Sequence, residues 1–170
     1  MLTSYNVISS DGFIAQADGG EDFIPNEVWD DFLEFLGEYD ALLIGKNTYE
    51  FIQNFDQELV EPFENVDIRR IVVTRNEDFV PKTGYEKISS LLDASKIGLE
   101  ILLCSGPNLN TAFLKEKLID KIVLNRLPVV IGTGIRQFET GVAPEFIPLP
   151  ELTRKTKSGR MLEFYKVDYK

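Results

Sequence analysis

The chain has no histidine and a single cysteine, Cys104, among its 170 residues. Without histidine, Ser-His-Asp and Cys-His nucleophile chemistry and the usual zinc sites are excluded, and no metal site is expected. One cysteine permits no internal disulfide, and its apolar setting in EILLCSG suits an inert buried thiol better than a nucleophile. Cations are scarce: 18 Lys and Arg stand against 28 Asp and Glu, a formal charge of -10. A polyanion needs a basic face to displace its counterions, so nucleic acid is not an expected partner and any phosphate site must be local. No apolar run approaches the ~20 residues of a bilayer span, so no membrane partner is expected. The start MLTSYNVISSDG has neither the basic opening nor the long apolar centre of a secretory signal, and the expected location is cytoplasmic.

What is present reads as one domain over residues 1–170, long enough for a single core. Repeats, low-complexity tracts and linkers are missing, and Gly and Pro punctuate periodic segments. Leu2 to Ser9 reads as a strand, and Ser9 to Asp22 as a turn-rich excursion, either a plain surface loop or a mobile flap. Pro25 and Asn26 open a helix whose apolar residues Val28, Phe32, Phe35 and Leu36 recur at helical spacing until Gly37. Ala41 to Ile44, RRIVVTR and EILLCSG are continuous apolar runs of the kind buried parallel strands use. Tyr49 to Phe55 and Ser89 to Lys96 are helical or connecting, GPNLNTAFLKEKL reads as a helix, and DKIVLNRLPVVIG as a strand. The last segment has two alternating runs around Lys157-Ser158-Gly159, an antiparallel hairpin. This order predicts an α/β sandwich with a mostly parallel sheet and an antiparallel C-terminal edge. Ligands of such sheets bind outside the C-terminal strand ends, and three small-polar loops fall there.

The first loop is Gly45-Lys46-Asn47-Thr48. Asn47 and Glu50 have capping-box spacing, which predicts a helix from about Thr48. Its unpaired N–H groups, with Lys46 and the Thr48 hydroxyl, suit a phosphate; a plain cap and turn is the other reading. It is not a Walker A loop, because no glycine stands five positions before Gly45. The second loop offers Thr74 and the guanidinium of Arg75, either a phosphate grip or a surface arginine. The third, Ser105-Gly106-Pro107-Asn108, opens another helix. Two such helix starts and one arginine at strand ends suggest a dinucleotide. Gly132-Thr133-Gly134 lacks the spacing of a Rossmann fingerprint.

The segments NVISSDGFIA, ALLIGKNTYEFI, IVVTRN and LLCSGPNLNTAFLKEKLIDKIVLNRLPVVIGTGIRQF occur in this order over nearly the whole chain. Together they resemble the bacterial RibD C-terminal-domain-like proteins of the dihydrofolate reductase-like superfamily. The resemblance implies a dihydrofolate reductase-like three-layer sandwich that binds NADPH and delivers hydride to a pterin-like or pyrimidine-like ring. It implies a pyrophosphate-side loop at Gly45, Lys46 and Thr48 and an adenosine 2′-phosphate loop at Thr74 and Arg75. A second phosphate loop falls at Ser105, Gly106, Pro107, Asn108 and Leu109, and Ile8 lies on the cofactor side at the first strand's end. Asp11, Gly12 and Phe13 match the loop over nicotinamide and substrate, with Asp11 a catalytic candidate. Lys46 and Arg75 together favour NADPH over NADH, because the extra phosphate attracts paired cations.

The chain departs from the family in having Ser105-Gly106 for Gly-Gly and Lys46 for arginine. It also reads TYEFIQNF where a bifunctional riboflavin-pathway reductase carries Asp-Asp-Pro and a downstream arginine, so strict riboflavin reductase activity is not expected. Dihydrofolate reductases place an acid two residues after a proline on the first long helix. Glu27 has that spacing after Pro25, with Asp22, Asp30 and Asp31 as competitors. A buried acid facing a ring would have its pKa raised toward a proton donor's; alternatively Glu27 complements the helix dipole. Trp29 is a substrate-stacking candidate or a core residue. The expected function is an NADPH-dependent reductase acting on a small heterocycle. The alternatives are an NADPH-binding protein of the same fold without that activity, and a dimerising domain without ligand. LPVVIG and the edge hairpin are the segments that would support a homodimer.

Overall fold

A computed structural model describes residues 1–139, 141 and 144–170. Its frame is a nine-stranded sheet in which β1 (Leu2–Ile8) is central. Parallel strands β6 (Ile101–Cys104), β3 (Ala41–Gly45), β4 (Arg69–Val73) and β5 (Tyr85–Ile88) follow on one side. On the other side β7 (Lys121–Arg126) is parallel to β1, and β11 (Met161–Asp168) runs antiparallel to β7. The outer edge of β11 is covered by β9 (Glu145–Pro148) and β10 (Arg154–Lys155), both antiparallel to it. The C-terminal hairpin is therefore β10–β11, as the alternation around Ser158 predicts.

Strand alternation sends successive apolar side chains to opposite faces, and each face is closed by helices. Leu42, Ile44, Val72 and Leu102 pack under α1 (Glu27–Leu36), α2 (Lys46–Gln53) and α3 (Gln57–Asn65). Leu43, Ile71 and Leu103 pack under α4 (Leu91–Ser95) and α5 (Pro107–Lys115). Helix, sheet and helix make a three-layer sandwich of the dihydrofolate reductase-like kind. No helix is long and apolar enough to cross a membrane among the described residues.

Four elements escape a sequence reading. The helix α3 carries Pro62, β5 is a short strand with two exposed charges, and β2 (Ala15–Gln16) with β8 (Gly134–Ile135) forms a two-residue ladder. One detail differs from expectation. The helix α2 starts at Lys46 rather than Thr48, with extended Gly45 as its N-cap and no side-chain cap bond. Because Lys46 is already helical, it and Glu50 are one turn apart and form an ion pair at 2.8 Å, in place of a capping box with Asn47.

Candidate functional site

The strands β1, β6, β3 and β4 lie side by side and parallel, so their C-terminal ends form one shelf. Three of the predicted loops leave it at neighbouring points. Gly45 ends β3, Ser105 and Gly106 follow β6, and Thr74 and Arg75 follow β4. Among the described residues, none of the five helices has a side-chain cap. What sets α2 and α5 apart is that both start from extended glycines on adjacent strands. A Cβ on Gly45 would stand 3.3 Å from Leu109 Cδ2 in α5, so the two starts abut, while Gly106 faces open space. Two sets of free backbone N–H groups thus converge, the arrangement that favours an anion.

The side chains around them are less free than their types suggest. Lys46 is paired with Glu50 and lies 5.7 Å from the centroid of the Phe79 ring. Thr48 is half-buried in the first turn of α2. Thr74 accepts from the Asn76 N–H at 3.1 Å and so shapes its own turn, leaving Arg75 exposed and without an ion-pair partner among the described residues. The Ser105 hydroxyl donates to Asn110 Oδ1 at 2.5 Å and is spent on the fold. Asn110, fully buried, in turn donates to the carbonyls of Ser105 and Gln137 and to Asn6 Oδ1, at 3.0 to 3.2 Å. This asparagine, missed by the sequence reading, holds the β6–α5 turn in shape. Its signal is the second asparagine of PNLN, at the helix position facing the strand. Pro107 opens α5 and brings no N–H, and the Asn110 N–H is bonded to the Gly106 carbonyl, so the free groups at this start are those of Asn108 and Leu109.

Beside β1 the shelf opens. The strand β1 pairs with β6 only from Leu2 to Ser4 but with β7 from Thr3 to Ile8, so β1 and β6 part company toward their C-terminal ends. Ile8 is buried there, and its carbonyl accepts from Leu127 N–H at 2.8 Å. On the α1 side, buried Tyr5 accepts a hydrogen bond from Asn125 Nδ2 at 3.2 Å, and Asn125 Oδ1 has no partner. Burial pushes the Tyr5 hydroxyl far above its ordinary range, so it stays protonated. Burial likewise pushes the Cys104 thiol up, which makes it a poor nucleophile.

The first half of the Ser9–Asp22 excursion is tied to residues 127–136. Asp11 accepts from Ser9 Oγ at 2.7 Å, Gly132 N–H at 2.8 Å and Ile131 N–H at 3.3 Å. The Ser9 bond, followed by the two backbone donors, holds its carboxyl below the ordinary value. Gly12, with φ +92°, lets the loop turn under Arg136, whose guanidinium stacks 4.8 Å from the Phe13 centroid. Gly134 has no room for a side chain, since a Cβ would stand 2.3 Å from the Ala15 carbonyl oxygen. Such an approach of loop to loop admits only glycine.

Of the two readings open for each α1 candidate, Glu27 and Trp29 take the structural one. Glu27 is exposed, not buried: it shares a helix face with Asp31 but is the first residue of α1, one turn short of the buried part of that face. The buried acid of α1 is Asp31, which accepts from Ser158 N–H at 3.0 Å and from Ser158 Oγ. Trp29 donates Nε1–H to the Leu59 carbonyl at 3.0 Å and packs against Phe32, Phe55 and Phe63, so its ring belongs to the core. Desolvation raises the carboxyl of Glu21, in the excursion, although the residue as a whole is exposed. A surface depression of about 500 Å³ lies at the other end of the sheet, against Leu114, Lys115, Asp168 and Tyr169. It touches none of the strand ends that carry these loops, and it is not the site argued from them.

Residues 1–158 match the RibD C-terminal domain profile. The chain is 29% identical over 164 residues to the uncharacterized protein YwjB of Bacillus subtilis, covering 90% of this chain and 84% of that one. Among solved structures it is similar to a putative riboflavin biosynthesis protein from Shewanella sp. PV-4, with a TM-score of 0.75, 23% identity and 99% of each chain covered. It is also similar to the dihydrofolate reductase of Enterococcus faecalis complexed with NADP(H), with a TM-score of 0.63, 15% identity and 99% and 97% coverage. The shared sandwich and the profile match lead to one conclusion: this chain belongs to the RibD C-terminal domain family, with a dihydrofolate reductase-like fold.

Proposed function

We propose that the protein is an NADPH-dependent reductase that transfers hydride to a small pterin-like or pyrimidine-like heterocycle. The reaction would be of the dihydrofolate reductase or 5-amino-6-(5-phosphoribosylamino)uracil reductase type. The observation that carries the reading is the pair of abutting glycine-capped helix starts at the ends of β3 and β6, with Arg75 one strand further out. A pyrophosphate fits there because Gly45 and Gly106 leave backbone N–H groups uncovered, and Gly106 has nothing within 4 Å of where a Cβ would stand. Arg75, free of intramolecular ion pairs, suits a 2′-phosphate; Lys46 would add charge on breaking from Glu50.

When bound, the cofactor supplies the hydride. The chain's part is to bind, orient and exclude water. Backbone groups near Ile8 and the loop Asp11–Phe13 border the parting of β1 and β6, where a planar ring would lie. Asp11, held ionised by three donors, positions that loop and is poorly suited to give up a proton. Glu27 and Glu21 are the acids to test as donors, Glu21 because desolvation raises its carboxyl above the ordinary value. Trp29 acts by fixing α1 as a wall of the site.

A second reading, an NADPH-binding protein of this fold without reductase activity, draws on two observations: Asp31 is engaged by Ser158, and Glu27 is exposed. The test is to titrate NADPH and NADH, following Trp29 fluorescence and thermal shift, and then to follow nicotinamide absorbance with dihydrofolate-like and pyrimidine-like substrates. Tighter binding of NADPH with turnover is the expected result. Absence of binding by either cofactor rejects both readings, and binding without turnover across the panel selects the second.

A further inference from the structure

The helix α3 is weakly made and is held from outside. Of its nine residues only Phe63 is buried, Pro62 in its interior brings no N–H, and Asp56 at its N-cap makes no side-chain cap bond. Residues 56–67 read DQELVEPFENVD, five acids and no cation, so the last turn has no base of its own to meet its carbonyls. Extended backbone flanks the helix on both sides, with ψ 145° at Asp56 and 127° at Val66. In β3 and β6, by contrast, Leu42, Leu43, Leu102 and Leu103 are fully buried.

The rest of the chain grips α3 at three points. The main one is buried Arg70 of β4. Its Nη2 donates to the carbonyls of Phe63 at 2.6 Å, Val66 at 2.7 Å and Glu64 at 3.1 Å, and its Nη1 to that of Ile68 at 3.0 Å. The guanidinium lies 5.3 Å from the centroid of the Phe63 ring. Among the described residues no carboxylate pairs with it, and its Nε has no partner. The second point is Glu64, whose carboxylate accepts from Lys82 Nζ at 2.8 Å and from the Tyr85 hydroxyl at 2.7 Å. The third is the Trp29 Nε1–H, which donates to the Leu59 carbonyl at 3.0 Å.

Arg70 thus supplies, from a neighbouring strand, the charge and the donors that a helix C-terminus attracts. A buried cation without a counter-charge regains its hydration when the helix lifts, which offsets the bonds lost and keeps the grip reversible. We propose that α3 is a hinged cover that opens as one unit while the sheet stays folded, with Arg70 as its latch. Opening withdraws Phe63 from its place against Trp29, Phe32 and Arg70 and leaves an apolar recess with one guanidinium at its edge. This cover works independently of any cofactor.

The test is native-state hydrogen exchange of the full chain, read amide by amide, together with acrylamide quenching of Trp29, the single tryptophan. In the wild type the amides from Leu59 to Val66, Pro62 excepted, should share one opening. They should be at least about tenfold less protected than those of Leu42–Ile44 and Leu102–Leu103. Arg70→Met keeps an apolar stem without the donors. It should lower α3 protection about tenfold further and raise Trp29 quenching, with β3 and β6 unchanged within about twofold. Glu64→Gln leaves the Arg70 contacts in place and should shift the same amides about threefold in the same direction, which decides the matter even if Arg70→Met does not fold. Protection of α3 equal to that of β3 and β6, fraying graded from one end of the helix, or an equal loss in helix and strands in a variant overturns the cover.

Discussion

The two halves of the shelf are made in different ways. The half formed by β3, β4 and β6 presents strand, short turn and helix in immediate succession, and its donors are mostly backbone groups. The half around β1 is assembled from pieces far apart in sequence: the Asp11 loop, residues 131–136, α1 and the turn at Ser158. A backbone donor needs only the right local conformation, whereas a side-chain clamp needs its distant partner in place. The first half should therefore tolerate side-chain change if the turns hold, and the second should fail when any one clamp is lost.

The largest effect expected is at Asn110. Replacing it with alanine leaves buried carbonyls and the Ser105 hydroxyl without their partner and should cost about 3 kcal/mol, read by urea unfolding. If stability is unchanged, the turn after β6 is held by backbone alone, and the contrast between the halves is sharper than stated. Next is Gly134→Ala, whose new methyl meets the Ala15 carbonyl; the overpacking should cost about 2 kcal/mol. It should release the Asp11 loop while leaving NADPH affinity within a factor of about two, since the helix starts are untouched. Loss of both together would merge the two halves into one cooperative unit.

Charge reversal at Lys46 or Arg75 should weaken NADPH about tenfold, roughly 1.4 kcal/mol, with little change in melting temperature. The Arg75→Glu effect should be nearly absent with NADH, and an equal loss for both cofactors would move the 2′-phosphate elsewhere. The smallest effect is at Asp11. Its folded-state pKa is depressed, so its hydrogen bonds add stability above its ordinary value near 3.8, and that stability is lost as the pH falls through the lower folded value. The difference in melting temperature between wild type and Asp11→Asn should therefore be full at neutral pH and vanish in acid. A difference that persists in acid would show that the loop does not depend on the ionised carboxylate.

The same contrast decides what was legible in the sequence. Apolar runs ended by Gly45, Thr74 and Ser105 reveal buried strands and their loops, because burial on both faces leaves an unbroken apolar string. Those three strands are read in this way, the helix at Val28–Leu36 from its 3.6-residue spacing and the terminal hairpin from alternation. What stayed hidden depends on register or on a partner. Glu27 has family-like spacing, yet it stands exposed at the first residue of α1, and the acid that is buried is Asp31, one turn further along the same face. Asn110 and Asn125 look like surface residues until strand pairing places them in the interior. The Lys46–Glu50 pair displaced the capping box because the helix began two residues early, a boundary that local composition does not fix.

One consequence of the position of β1 concerns time. The first strand of the chain is the middle of the sheet: Leu2 pairs with Ile101, and Ile8 with Arg126. Both of its hydrogen-bonding edges are unpaired until partners about a hundred residues later are available, and contacts so distant in sequence close slowly. During synthesis the segment Leu2–Ile8 is thus an apolar strand without neighbours, and β3 with β4 is the first parallel pair that can form. The cleft beside Ile8 is completed only when β6 and β7 arrive on either side of a strand that has been waiting for them.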